Sequence, residues 1–157
     1  LFRSWNPGDV CFPPDVECAI GAVNGSGDGV VFIDGSIPHP TLGPIREPIR
    51  VEFRGSKIVD ISGGQEAEAL KQLLADANDP EHAYFMGEIG LGMNPACSLN
   101  GRMLEDEGCA GTIHFGIGDD RSFGGNNICA QHIDLIFKAP TIRVDGRLIM
   151  QDGKVVD

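Results

Sequence analysis

Residues 111–138 read GTIHFGIGDDRSFGGNNICAQHIDLIFK. Two alternating apolar runs flank a loop of Gly, Asp, Ser and Asn, which predicts two strands joined by a polar connection. His114 stands in the first run and His132 in the second. In the second run His132 and Asp134 are spaced i and i+2 among Ile133, Leu135, Ile136 and Phe137. Side chains two apart on a strand leave the same face. An imidazole nitrogen and a carboxylate oxygen are then offered side by side. That is the beginning of a metal site, and the rest of the chain is read for what completes it.

Two lone acids qualify. Glu17 interrupts the apolar run Val16-Glu17-Cys18-Ala19-Ile20 directly after the rigid Pro13-Pro14. It is either an edge-strand residue facing solvent or an acid aimed into a pocket. Glu88 lies in YFMGEIGLGMN (residues 84–94), flanked by Gly87, Ile89, Gly90 and Leu91. Glycines permit close backbone approach, and a charge buried in so apolar a strand needs a partner or a cation. A third source is Glu105-Asp106-Glu107, which is either a solvated charge cluster or the origin of a bridging carboxylate ahead of His114. The candidate set is therefore Glu17, Glu88, one of Glu105 and Glu107, His114, His132 and Asp134. Imidazole and carboxylate without thiolate suit zinc, cobalt, manganese or non-haem iron. Two histidines and one carboxylate could hold one ion with open positions. Four or five ligands could hold two ions about 3.5–4 Å apart, the clamp used for hydrolysis.

The remaining chain reads as scaffold. Asn6-Pro7-Gly8-Asp9 is a turn, residues 21–28 a loop without the Gly-x-x-x-x-Gly-Lys of a phosphate site, and residues 29–37 a strand ending at Asp34-Gly35. Pro38 to Pro44 is too proline-rich for a sheet interior, and His39 between two prolines is a loop residue. PIRVEFRGSKIVDI (48–61) is the clearest hairpin, turning at Gly55-Ser56. After Gly63-Gly64, residues 65–77 form a helix with Ala69, Leu70, Leu73 and Leu74 as its buried stripe. Residues 95–108 are loop with room for a short helix, and 141–150 form a second hairpin at Asp145-Gly146. At least seven short strands and one helix make an α+β protein, mostly antiparallel sheet with scope for barrel-like closure. Repeated strand–helix units of a doubly wound fold are missing.

One domain over residues 1–157 fits the length. A net charge of −11 argues against nucleic-acid backbones and anionic membranes as partners, and it suits a carboxylate-rich site that a cation neutralises. No stretch has the length of a transmembrane helix and no signal segment opens the chain. The first residue is Leu1 rather than methionine, so the chain reads as a piece of a longer protein. Five cysteines, Cys11, Cys18, Cys97, Cys109 and Cys129, contain no C-x-x-C pair. That favours a reducing, cytoplasmic setting over a disulfide framework or a structural zinc. Cys18, Cys109 and Cys129 are expected as buried small hydrophobes.

Nearly the whole chain resembles the C-terminal part of the thermophilic metallo-aminopeptidases, the group of aminopeptidases T and S, and the related 2,5-dihydroxypyridine dioxygenases. The resemblance rests on Pro13-x-x-x-Glu17, the Gly35–Arg46 region, Gly87-Glu88-Ile89-Gly90-Leu91, Gly111-Thr112-Ile113-His114, and His132-x-Asp134 before the Asp145-Gly146 turn. It implies Glu17, Glu88, His114, His132 and Asp134 as metal ligands, with Glu107 or Glu105 as a remaining one. It also implies an N-terminal α/β domain ahead of this region and a homodimer. Arg121 stands where the peptidases have a tyrosine thought to assist catalysis, and arginine cannot act as a general acid. Glu88 stands where the dioxygenases have a histidine of their iron site. The acid at 88 favours a divalent-metal hydrolase of peptides or small amides holding one or two ions. In that reading Glu107 is general base or bridging ligand, and Arg121 orients the substrate. An iron ring-cleaving dioxygenase of small hydroxylated aromatics is the alternative, and a non-catalytic metal-binding and dimerisation domain is the third reading.

Overall fold

The computed structural model describes residues 14–156. The turn expected at residues 6–9, Cys11 and Pro13 lie outside the described residues. Among the described residues there are three antiparallel sheets and one helix of more than two turns, so the expected α+β, sheet-dominated architecture is the one observed.

The principal sheet has six strands. In spatial order they are Glu17–Gly21 (β1), Met86–Gly92 (β7), Thr112–Gly118 (β8), His132–Lys138 (β9), Ser36–Ile37 (β3) and Gly43–Pro44 (β4). A second sheet joins Gly29–Ile33 (β2), Ile49–Arg54 (β5) and Lys57–Ser62 (β6). A third, small one joins Ile142–Val144 (β10), Arg147–Gln151 (β11) and Lys154–Val155 (β12). Among the described residues no barrel closes: β1 and β4 remain as edges of an open sheet. Pro44 sits on β4, the edge position where a residue without an N–H is tolerated.

The chain leaves the second sheet at Asp34-Gly35 and enters the first at Ser36. A Cβ at Gly35 would stand 2.6 Å from the Ile136 carbonyl oxygen, so this close crossing requires glycine. Helix Gln65–Ala75 (α1) follows Gly63-Gly64, with Glu66 and Glu68 in its first turn where they complement the helix dipole. It buries Ala67, Leu70 and Leu74. Ala67 rather than Ala69 faces the core, and the helix closes at Ala75, two residues earlier than expected. A one-turn helix, Pro80–Ala83 (α2), precedes β7.

The core lies between the two larger sheets and α1, built from Ile33, Val51, Phe53, Leu70, Ile117 and Leu135 among others. Phe53, Phe115 and Phe137 meet edge to face across it, centroids 5.8 and 5.0 Å apart. Strand alternation sorts the two central strands. Phe115 and Ile117 of β8 face this core, as do Ile133, Leu135 and Phe137 of β9. The even-numbered positions of the same strands point to the opposite face, and that face carries the site.

The cysteines divide by position. Cys129 is buried as expected, Cys109 is half-buried, and Cys18 is exposed. The expectation for Cys18 fails because it alternates outward from Glu17 on an edge strand.

Candidate metal centre

Cross-strand register assembles the site. Glu88 on β7 lies opposite Gly116 on β8, and Gly116 lies opposite Asp134 on β9. One step along, Gly90 is opposite His114, and Gly118 is opposite His132. Glu17, at the start of edge strand β1, pairs with Gly92. Ligand-type residues therefore alternate with glycines on one face. A Cβ at Gly116 would stand 2.6 Å from His132 Nε2 and 2.7 Å from Glu88 Oε2, and one at Gly90 would overlap the His114 ring. The glycines leave the volume that the imidazoles and carboxylates fill.

Two ligand sets result, Glu17–Glu88–His114 and Glu88–His132–Asp134, with Glu88 common to both. His114 Nε2 is 3.1 Å from Glu17 Oε2 and 3.5 Å from Glu88 Oε1. His132 Nε2 is 2.9 Å from Glu88 Oε2 and 3.3 Å from Asp134 Oδ1. Ligand atoms about 2.0–2.2 Å from a metal stand about 2.8–3.6 Å from one another across octahedral and tetrahedral geometry. The observed separations fit that spacing. Asp134 is 1% exposed, yet among the described residues its Oδ2 has no hydrogen bond and no cationic partner, and its Oδ1, like Glu17 Oε2, meets only the imidazole already described. Buried carboxylate oxygens without partners are costly, and a cation would satisfy them. The residues fit a divalent metal.

His132 is oriented from behind: its Nδ1 donates to the Asp119 carbonyl oxygen at 2.7 Å, leaving Nε2 turned to the carboxylates. Burial opposes a charged imidazole, but the neighbouring Glu17, Glu88 and Asp134 outweigh it and push His114 up to about 10. For His132 burial is likewise outweighed by Asp134 and Glu88, and its value rises to about 11. Burial would raise Glu88, but the two histidines hold it below its ordinary value. Glu107 is pushed up to about 8 by burial and by Asp134, Asp15 and Glu17. Asp15 rises to about 6 by burial and Glu17. Without metal, the two imidazoles hold protons that balance the carboxylates.

A cleft of about 310 Å³ opens on this cluster, lined by Asp15, Glu17, Leu104, Glu107, Phe123 and His132 among others. That volume suits a small molecule. A larger groove of about 670 Å³ beside α1 has no imidazole in its lining, so it has none of this chemistry. Of the expected site residues, Glu17, Glu88, His114, His132 and Asp134 come together and Glu107 lines the cleft. Glu105 instead accepts from Ser98, through its N–H and its hydroxyl, both at 3.2 Å. Arg121 is on the 3₁₀ turn Arg121–Phe123 and pairs through Nε with Asp119 at 2.7 Å. Asp15, Leu104, Asp119 and Phe123 also line the cleft, and the sequence reading does not reach them. Asp15 carries a signal, since it lies two residues before Glu17, the spacing that shares a face in extended chain.

The family model described as 2,5-dihydroxypyridine 5,6-dioxygenase (NicX) matches residues 5–157. The chain belongs to this dioxygenase family. It is 30% identical over 141 residues to the 2,5-dihydroxypyridine 5,6-dioxygenase of Pseudomonas putida KT2440, an alignment covering 83% of this chain and 40% of that protein. The solved structure of 2,5-dihydroxypyridine dioxygenase from the same organism superposes with a TM-score of 0.75 at 27% identity, covering 85% of this chain and 41% of the other. The chain thus spans about two fifths of the length of these relatives. These matches overturn the aminopeptidase assignment and the hydrolase reading, and with them peptides and small amides as substrates. The acid at position 88 is a single departure, and the match of the whole chain outweighs it. The homodimer expectation loses the resemblance that implied it. Among the described residues no helix is long and apolar enough to cross a membrane.

Proposed function

We propose that the chain carries the metal centre of a non-haem iron dioxygenase that cleaves the ring of a small hydroxylated aromatic or pyridine. Family membership supports the reaction class. The observation that carries the site is buried Asp134, whose Oδ1 meets His132 Nε2 while its Oδ2 has no hydrogen bond and no cationic partner among the described residues, beside Glu88. Glu88, His132 and Asp134 are the ligands of the catalytic ion. Glu17 and His114, with the other oxygen of Glu88, form a second set able to take another divalent ion. Ferrous iron supplies the redox chemistry that a reaction with dioxygen needs.

The chain's own groups prepare the substrate. The Asp119 carbonyl fixes the His132 ring. Glu107, whose carboxyl keeps its proton near neutrality, passes a proton to or from a ring hydroxyl. Arg121 is outside the cleft lining, on the exposed 3₁₀ turn next to cleft-lining Ser122 and Phe123, and its assigned role is to meet, through N–H groups beyond the Asp119 pair, an anionic substrate group that reaches out of the cleft.

The test is anaerobic loading with ferrous iron, elemental analysis, and oxygen uptake with 2,5-dihydroxypyridine, beside an H132A/D134A variant. Near-stoichiometric iron and oxygen uptake that vanish together in the variant are expected. Iron-loaded wild type that consumes no oxygen with hydroxylated pyridines or benzenes would remove this reading.

A further inference from the structure

Leu104 has φ +66°, a left-handed conformation that a residue with a Cβ disfavours. The residue is 36% exposed and lines the cleft. Core burial therefore does not account for an apolar side chain held in a disfavoured backbone state. The surrounding loop enforces it. Asp106 is fully buried and accepts from Ser36 Oγ on β3, and from the N–H groups of Asn100 and Gly101 at 2.8 Å each. Asp106 N–H in turn donates to the Arg102 carbonyl at 3.1 Å, closing the turn that contains Leu104. Non-glycine outliers fixed in this way cluster at ligand clamps.

Phe123 also lines the cleft. Its turn lies directly on β1, where a Cβ at Gly21 would stand 2.9 Å from the Phe123 carbonyl oxygen. The Phe123 ring stacks near His132, centroids 6.3 Å apart and planes 26° from parallel. The loop bearing Leu104 enters β8 at Thr112, whereas the turn bearing Phe123 follows its end at Gly118. Between those ends the strand presents His114 and Gly116. The cleft lining thus includes an apolar side chain from the loop before β8 and one from the turn after it, together with His132 and the carboxylates of Glu17, Glu88 and Glu107.

We propose that Leu104 and Phe123 clamp the planar ring of the substrate above the metal ligands and so select for a ring rather than for any metal-chelating group. This deepens the dioxygenase reading and rests on it for the ring. The faces of an aromatic ring favour apolar contact while its hydroxyls stay with the polar groups.

The experiment compares two probes on ferrous-loaded, anaerobic protein: 2,5-dihydroxypyridine, which has a ring, and acetohydroxamate, which chelates without one. Wild type, L104A, L104G, F123A and F123L are titrated, with iron content and thermal midpoint measured for each. Expected are unchanged iron content and acetohydroxamate affinity within about twofold, against roughly tenfold weaker hydroxypyridine binding in L104A, L104G and F123A. F123L regains much of that loss, and L104G melts no lower than L104A because glycine accepts the left-handed backbone. Hydroxypyridine affinity within about twofold of wild type in both L104A and F123A overturns the clamp. So does an equal loss for both probes, or a wild type that binds no hydroxypyridine. Clamp-dependent binding without oxygen uptake would keep the clamp and remove the dioxygenase reading; oxygen uptake with clamp-independent binding would do the reverse.

Discussion

Gly116 and Gly90 govern the site without contributing a ligand atom. Each lies across from a ligand-type residue on the neighbouring strand, where a β-carbon would occupy the ligand's place. In Gly116→Ala the new methyl meets His132 and Glu88 at 2.6–2.7 Å, closer than real contacts allow. Displaced ligand geometry of this kind costs about 10–100-fold in metal affinity. We expect that loss in a metal titration, with the far-ultraviolet circular dichroism unchanged; wild-type affinity would refute the glycine argument. Glu88→His separates the two ligand sets. It leaves two histidines and a carboxylate at positions 88, 132 and 134, a donor set suited to ferrous iron, and removes the carboxylate shared with Glu17 and His114. Elemental analysis should find iron retained at no more than about one per chain, and an iron-free E88H protein would contradict the assignment.

At the level of elements, alternation is legible in the sequence and loop burial is not. Ile133, Leu135 and Phe137 against His132 and Asp134 give the strand, its two faces and the ligand pair. The hairpin at residues 48–61 appears with its Gly55-Ser56 turn. Asp119-Asp120 and Asn126-Asn127 read only as loop polarity, yet Asp120 and Asn127 are buried. Asn127 N–H donates to Asp120 Oδ1 at 2.7 Å, and its side-chain amide donates to the carbonyls of Gly118 and His82. Such partners are distant in the chain and leave no periodic trace. Asp106 is a similar case, hidden between two other acids. Asp106→Asn puts an amide donor where three donors converge, costing about 1–3 kcal/mol. Hydrogen exchange should accelerate at Asn100 and Gly101 while α1 stays protected; uniform acceleration would show instead that Asp106 supports the whole fold.

Across the whole molecule, one sheet separates an apolar core from a charged site, and the charge makes stability depend on both pH and metal. The metal-free protein holds protons on His114 and His132, whose values of about 10 and 11 lie above the ordinary histidine value. Groups with raised values stabilise the fold fully below their unfolded values, and that contribution is lost as pH rises through the folded ones. Glu107, at about 8, acts in the same direction from a lower start. The metal-free thermal midpoint should therefore fall between about pH 6.5 and 10. A metal ion takes the place of these protons, so its affinity rises over the same range and its binding releases protons. At a roughly hundredfold excess over its dissociation constant, the ion adds about 2.7 kcal/mol, which for a chain of this length is roughly 5–10 °C. Melting curves with metal and with chelator from about pH 6.5 to 8.5 should diverge as pH rises. Calorimetry in buffers of different ionisation enthalpy should register protons leaving on binding. A metal-induced increment that stays flat or shrinks with pH would mean that the imidazoles are not the groups the metal displaces protons from, and the ligand assignment of His114 and His132 would fall.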